Sequence, residues 1–388
     1  MLRATTPMPE ERPVTTERLS PLGVPMRAIT FVATLALGPL MFPVALARAG
    51  DITLVETGSS LLYPLFNVWA TEYMKTHTDV HVITNSTNSA IGVEQAISGK
   101  VHIGASDAYL SDAQVRQYPH IINVPMAISA LTVNYNIPGL NSAALKLDGP
   151  ALAGIYSGKI RAWDDTAIAV LNPDVTLPHH DIIPVHRADG SGDTFVFTQY
   201  LTYSVRPWDP FLGSGLSIAW PAVAGSLTAT DNFGVLQKVE ETPYSIAYVG
   251  ISFHAQVAKA QLGTARLKNY SGEFLLPTPE TMTVAARSLT PRTPADQRFS
   301  LVNALGAHCY PLINYEYAIV STKQATPDIA KALRKFLSWA IAPHETNEKY
   351  LEDAHFIPLP AHIWVLSHDQ IEKINSAEGT PFPRPASQ

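Results

Sequence analysis

Three features of the sequence predict an α/β fold. From residue 52 to residue 106, short β-branched runs alternate with segments of helical apolar spacing. The turns between them are small and polar, with serine or aspartate where strand gives way to helix. Ile121 to Asn134 is a longer apolar run rich in β-branched residues, which reads as a buried strand. A chain of 388 residues is long enough for two domains.

The N-terminal fifty residues stand apart. Residues 1–25 are polar, Pro-rich and unpatterned, and are expected to be disordered or to precede the true start at Met26. Met26-Arg27 gives a short basic start, and Ala28 to Leu46 is apolar without a charge. Ala45-Leu46-Ala47 and Ala47-Arg48-Ala49 are small-x-small cleavage signals. Residues 26–49 therefore read as a secretory signal peptide, cut near 47–50, leaving a mature protein free in the periplasm or outside the cell. The run is nearly long enough for a membrane anchor, but Pro39, Pro43 and the cleavage signals favour the signal peptide. No cysteine lies near the cut to carry a lipid.

The mature chain opens with a strand at Ile52 to Val55 and the turn Thr57-Gly58-Ser59-Ser60. Leu61, Leu62, Leu65, Phe66, Trp69 and Tyr73 then follow at helical spacing. Val80 to Thr84 is the next strand. Ile91, Val93, Ala96 and Ile97 mark a helix with Ser89 at its mouth, and Val101 to Ala105 is a strand ending in Ser106-Asp107-Ala108. Ligands of α/β sheets sit at such carboxyl ends. Asp148 can cap a helix through Tyr156 that Gly158 closes, and Asp164 can cap the next. Val185 to Tyr200 reads as strand end, polar turn and helix, the helix opening at Asp193-Thr194. Tyr203 to Ala224 is Trp-, Pro- and Gly-rich and is expected to wrap the surface. Asn232-Phe233-Gly234 starts a helix, Tyr244 to Val249 is a strand, and 267–298 is loop-rich with one helix. A strand at Tyr315 to Ser321 precedes a helix from Ile329 to Ile341, with Ala330, Leu333, Phe336, Leu337 and Ala340 on its inner side. Phe356 to Pro360 is expected to end the core, ahead of a short helix and a Pro-rich tail.

The chemistry concentrates in Arg187-Ala188-Asp189-Gly190-Ser191-Gly192-Asp193. Two glycines let backbone approach a ligand, and a helix start supplies unpaired N–H groups and partial positive charge. With a serine hydroxyl and an arginine, this describes an anion cradle; an ordinary capped turn is the plainer reading of the stretch alone. The net charge of −6 argues against non-specific nucleic-acid binding and means that an anion site must be built locally. No catalytic residue, metal or cofactor is expected. Asp189-Gly190-Ser191-Gly192 lacks the spacing of a nucleophile elbow, and His186 precedes the turn on a strand. His179-His180 is an isolated loop pair. Cys309 is the one cysteine, so there is no intrachain disulfide, and it reads as a buried thiol.

Several blocks together resemble the PstS family, the periplasmic phosphate-binding proteins of ABC-type phosphate importers. They are Gly58-Ser59-Ser60 with Tyr63-Pro64-Leu65 and Trp69; Ser89 to Gly104 running into GASDAYL at 104–110; LDGPALAGIYSGKIRAWDD at 147–165; RADGSGDTFVFTQYL at 187–201; NFGVLQKVEETPYSIAYV at 232–249; and YPLINYEYAIV with the 329–341 helix. The resemblance implies a type II periplasmic binding protein fold: two discontinuous α/β lobes on a two-stranded hinge, closing over one phosphate. Lobe I would comprise 50–130 and 270–388, and lobe II 131–269.

Carried across by position, the resemblance implies that phosphate is held by Ser60, the backbone of Leu61, Ser89, Asp107, Arg187, Ser191, Gly192 and Asp193. Asp189 would hold Arg187, and Ser59 would support from behind. Asp107 would accept from a protonated phosphate oxygen. Such an acceptor suits P–OH and repels sulfate, so one carboxylate can give large discrimination. Asp193 departs from a threonine common in the family. A carboxylate there either points away and caps the helix, the favoured reading, or accepts from a second P–OH. The implied partners are inorganic phosphate and the permease and ATPase of an importer, with a monomeric binding protein. A binder of another oxyanion or small organic acid, or a phosphate scavenger or sensor, is the alternative.

Overall fold

A computed structural model describes residues 51–376, apart from 144, 207 and 209–211. The expected leader, signal segment and Pro-rich tail lie outside these residues. No helix among the described residues is long and apolar enough to cross a membrane.

The strands that frame the site are Ile52–Gly58 (β1), Val80–Ser86 (β2), Ile103–Ser106 (β3), Ile121–Asn136 (β4), Ile183–Arg187 (β5), Leu227–Ala229 (β6), Ser245–Gly250 (β7), Gly263–Thr264 (β8) and Ile313–Ser321 (β9). They form one mixed sheet in the order β2-β1-β3-β9-β4-β7-β5-β6, with β8 also paired to β4. The β1/β2, β1/β3, β5/β7 and β5/β6 pairs are parallel. A parallel neighbour needs a crossover, which helices supply. Tyr63–Thr76 (α1) joins β1 to β2, and Ser89–Ile97 (α2) joins β2 to β3. Gly192–Ser204 (α3) follows β5, and Asp231–Glu241 (α4) lies between β6 and β7.

β4 runs through the middle of the sheet and changes partners. Residues Ile121 to Ala130 pair antiparallel with β9, while Leu131 to Asn136 pair with β7. Its burial on both faces matches its largely apolar, β-branched sequence. The edge strand β2 instead alternates, with Val80 and Val82 buried and His81 and Ile83 exposed.

Helix boundaries follow capping chemistry. Asp148 accepts from Ala151 N and starts Gly149–Tyr156. Asp165, rather than the expected Asp164, caps Thr166–Ala169; Asp164 turns outward to His179. The helix after the polar turn opens one residue before the expected Asp193, because Ser191 is its cap and accepts from Thr194 N. Pro327–Ile341 (α5) begins with Thr326 as cap and proline at its first position, and buries Ala330, Leu333, Phe336, Leu337 and Ala340. Phe336 meets Phe66 and Tyr73 of α1, with ring centroids 6.4 and 5.2 Å apart. Each such fully buried aromatic contributes about 1.5–3 kcal/mol.

Two further expectations are corrected. Tyr203 to Ala224 does not simply wrap the surface: Trp208 is buried, and Trp220 packs on Tyr156, with ring centroids 5.3 Å apart. The core does not end at Pro360. Ala361–Ile371 buries Ile363 and Ile371, and its Ser367 hydroxyl donates to the Pro125 carbonyl at 2.9 Å.

Candidate anion-binding site

Four helix starts converge at the carboxyl ends of the central strands, and each brings a polar side chain. The first is the turn between β1 and α1. Gly58 has φ +150°, and a Cβ there would lie 2.7 Å from the Ala105 carbonyl carbon, so only glycine lets the turn lie against β3. Ser59 Oγ accepts from the Leu61 and Leu62 N–H groups at 3.1 and 3.2 Å and donates to Asp107 Oδ1. Leu61 N–H, expected to face the anion, is therefore directed at Ser59. Ser60 Oγ accepts from both the backbone N–H and the Nδ2 of Asn232, at 3.1 and 3.0 Å. A hydroxyl that accepts twice keeps its one hydrogen for a further acceptor.

At α2 the cap is Asn88, whose Oδ1 accepts from Ile91 N. Ser89 is thereby spared capping and donates to Asp107 Oδ2 at 3.2 Å. Asp107 leaves the end of β3 and is no cap itself. It is buried, and each of its carboxylate oxygens accepts from one serine hydroxyl. At α3, Ser191 Oγ accepts from Thr194 N at 3.2 Å, which again leaves its O–H to donate elsewhere. A Cβ on Gly192 would lie 2.6 Å from both Asp107 Cβ and Ser89 Oγ. Glycine alone lets this helix start, with its unpaired N–H groups, approach the other serines so closely.

Arg187 ends β5 and is buried. Its Nε and Nη2 donate to the two oxygens of Asp189 at 2.6 and 2.5 Å, a fork-on-fork pair. Nη1 donates to Asp193 Oδ2 at 2.6 Å. Burial acts to lower the guanidinium pKa, but the Asp189 hydrogen bonds and the Asp193 charge outweigh it and raise the value. The backbone N–H of Arg187 is held by Tyr248 Oη at 3.1 Å, and Tyr248 also bonds Thr194 Oγ1 at 2.7 Å.

Asp193 corrects the reading of it as an outward cap. Its side chain is buried and points inward, where Oδ2 accepts from Arg187 and, at 2.7 Å, from Asn232 Nδ2. Oδ1 is buried with no partner. Burial and then the Asp107 charge push its pKa up to about 7, against the pull of Arg187 and Asn232.

Asn232 is the residue that sequence reasoning missed here. It was visible only as a helix opener. In the structure it links Ser60 to Asp193 and accepts from Gly250 N at 2.7 Å. Asparagine near a helix start is too common a signal to single it out.

Ser59, Ser60, Leu61, Ser89, Asp107, Arg187, Asp189, Ser191, Gly192 and Asp193 therefore lie in one connected cluster, all buried but the half-buried Asp189, with Asp189 and Ser59 behind the others. The arrangement can donate through serine hydroxyls and helix starts and accept through Asp107 and Asp193. It sets one guanidinium against three aspartates. A fully ionised anion meets net repulsion in such a site, whereas an anion carrying hydroxyl protons satisfies the acceptors. Among the described residues, no group of His, Cys, Asp or Glu could hold a metal ion.

A family model described as a PBP superfamily domain matches residues 44–344. The phosphate-binding protein PstS of Haemophilus influenzae is 32% identical over 329 residues, covering 85% of this chain and 93% of that protein. The phosphate-binding protein PstS of Methanocaldococcus jannaschii is 30% identical over 321 residues, covering 78% and 81%. Among solved structures, a phosphate-binding protein from Stenotrophomonas maltophilia superposes with a TM-score of 0.62 at 18% identity, covering 82% of this chain and 94% of that one.

Proposed function

The chain belongs to the PstS family of phosphate-binding proteins, and from that premise we propose that it binds inorganic phosphate outside the cytoplasm for delivery to an ABC-type importer. One observation carries the reading. Asp107, a pure acceptor, is set among donors that include Ser89 and the start of α3 at Gly192. Phosphate near neutral pH offers both oxygens for the donors and a P–OH for the carboxylate; sulfate offers no proton.

In this reading Ser60, Leu61, Ser89 and Asp107 come from one lobe, residues 50–130 with 270–388. Arg187, Ser191, Gly192 and Asp193 come from the other, residues 131–269. The lobes meet where β4 changes partners at Ala130 and Leu131. The Ser60–Asn232 bonds and the Ala90 N–H to Gly190 carbonyl bond at 3.0 Å would be made on closure. The permease and ATPase would recognise the closed monomer. The role is binding rather than catalysis: Ser191 Oγ is used as a cap, and His186 stacks on Trp220 with ring centroids 4.9 Å apart.

Calorimetric titration of the secreted protein, stripped of ligand, tests this. Tight phosphate binding with negligible heat from sulfate is expected. No heat with phosphate, or equal affinities, would sink the reading.

Asp193 adds a pH dependence. Its pKa is raised in the fold, so it favours the protonated state. An anion bound beside it raises proton affinity further. Phosphate affinity should therefore fall as pH rises through about 7, more steeply than in an Asp193→Thr variant. The ligand's own ionisation is common to both proteins, so the difference isolates Asp193. Superimposable curves between about pH 6 and 8.5 would contradict it.

A further inference from the structure

Glu316 lies outside the cradle motifs, yet it is fully buried directly behind them. It sits on β9, with β3 on one side and β4 on the other. The register with β4 slips at this point: Glu316 opposes Ala127, but Tyr317 opposes Pro125. A bulge of this kind re-aims a side chain and recurs beside functional sites. Ser129 Oγ donates to Glu316 Oε1. Oε2 is buried with no hydrogen-bond partner, and Asp107 is the charge that acts most strongly on the carboxyl. Asn314, two residues earlier on the same strand, donates to the Asp107 carbonyl, so β9 also holds the Asp107 backbone.

Two carboxyl groups cannot bond each other without a proton between them. The charged groups acting on Glu316 are Asp107 from β3 and Asp193 from α3, both negative. Tyr317 and Ser129 are its neutral neighbours on β9 and β4. Arg187 is engaged by Asp189 and Asp193. Burial first, and then Asp107, push the Glu316 pKa well above the carboxylate range.

We propose that Glu316 is a neutral acid that donates Oε2–H to Asp107 and so determines how many ligand protons Asp107 can accept. A carboxylate has about four lone-pair sites. Ser59, Ser89 and Glu316 fill three of those on Asp107, and one remains for a single P–OH. Glu316 is a positioning residue: it touches Asp107, not the ligand. Were it ionised, Asp107 would lose that donor and face a second negative charge.

The inference rests on the phosphate reading, and its test separates the two. Phosphate affinity is measured by calorimetry for the wild type and Glu316→Gln at about pH 8 and about pH 10, a span in which free phosphate stays the dianion. The glutamine amide can donate to Asp107 and accept from Ser129, but cannot ionise. At pH 8 the variant should bind within about threefold of the wild type. By pH 10 the wild type should lose about tenfold or more in affinity beyond the loss in the variant, since the Asp193 dependence is common to both. Infrared spectra of the ligand-free proteins at pH 8 should show a protonated-carboxyl stretch that is lost in the variant, and lost in the wild type as pH rises. Parallel affinity curves with an unchanged infrared band would overturn the proposal. If neither protein binds phosphate, the ligand reading fails while the infrared titration still decides the state of Glu316. That titration, read on the wild type alone, also decides it if the variant fails to fold.

Discussion

Asp107→Asn is expected to weaken phosphate binding by about 100-fold or more and to bring sulfate within measurable range. The substitution keeps shape and removes an acceptor. A hydrogen bond to a charged group contributes about 1.5–3 kcal/mol, and an amide N–H₂ facing a P–OH sets donor against donor at a further cost of about 1–3 kcal/mol. Their sum, about 2.5–6 kcal/mol, reaches the ~2.8 kcal/mol of a 100-fold change over nearly its whole range, since each ~1.4 kcal/mol is tenfold. The serines that hold the carboxylate add to the effect. Ser59 and Ser89 both donate to Asp107, and asparagine has only one oxygen to receive them. Sulfate, which has no proton to offer, gains where phosphate loses. Paired calorimetric titrations with the two anions check this. An unchanged phosphate-to-sulfate ratio would mean that discrimination lies elsewhere in the site.

Arg187→Met should destabilise the unliganded protein by about 3–5 kcal/mol. Breaking a buried pair strands its partners, and here there are two, Asp189 and Asp193. Out of a total stability of about 5–15 kcal/mol this is a large fraction. At about 2–4 °C per kcal/mol for chains of 150–250 residues, and less for a longer one, thermal unfolding should move down by roughly 5–10 °C. The loss has a predictable pH dependence. Asp193 has a raised pKa in the fold, so its contribution to stability is fully present below its unfolded value and is lost as pH rises towards about 7. The stranded carboxylate is therefore worse at pH 8 than at pH 5, and the Arg187→Met deficit should grow with pH. Adding Asp193→Asn should recover part of the loss at pH 8 and little at pH 5. A melting curve unchanged from the wild type would show that the carboxylates relax into water once the guanidinium is gone.

Asp193 and Asn232 show why some of the site could be read from sequence and some could not. A polar turn with glycines before an apolar helix announces itself within seven residues, because capping and backbone approach are local requirements. The direction of the Asp193 side chain is not local. An acid in the first turn of a helix is favoured by the helix dipole whichever way it points. It points inward because Arg187, across the turn, and Asn232, 39 residues on, both donate to it. Glu316 stands inside the YPLINYEYAIV block, but nothing in the sequence marks it as part of the site. It stands in a strand that otherwise reads as apolar, and it is 187 residues from the serine that bonds it.

The sequence by itself determined the alternation of strands and helices, most helix starts, and the small residues that let four helix N-termini crowd together. These follow from periodicity, capping and sterics, which act over a few residues. Tertiary structure alone decided the charge state and orientation of the acids. The partner change of β4 at Ala130 and Leu131, the bulge at Glu316 and Tyr317, and the burial of Arg187 bring carboxylates from three separate strands and turns into one water-poor space. In that space a charge is governed by its nearest partners rather than by solvent, and those partners are distant in the chain.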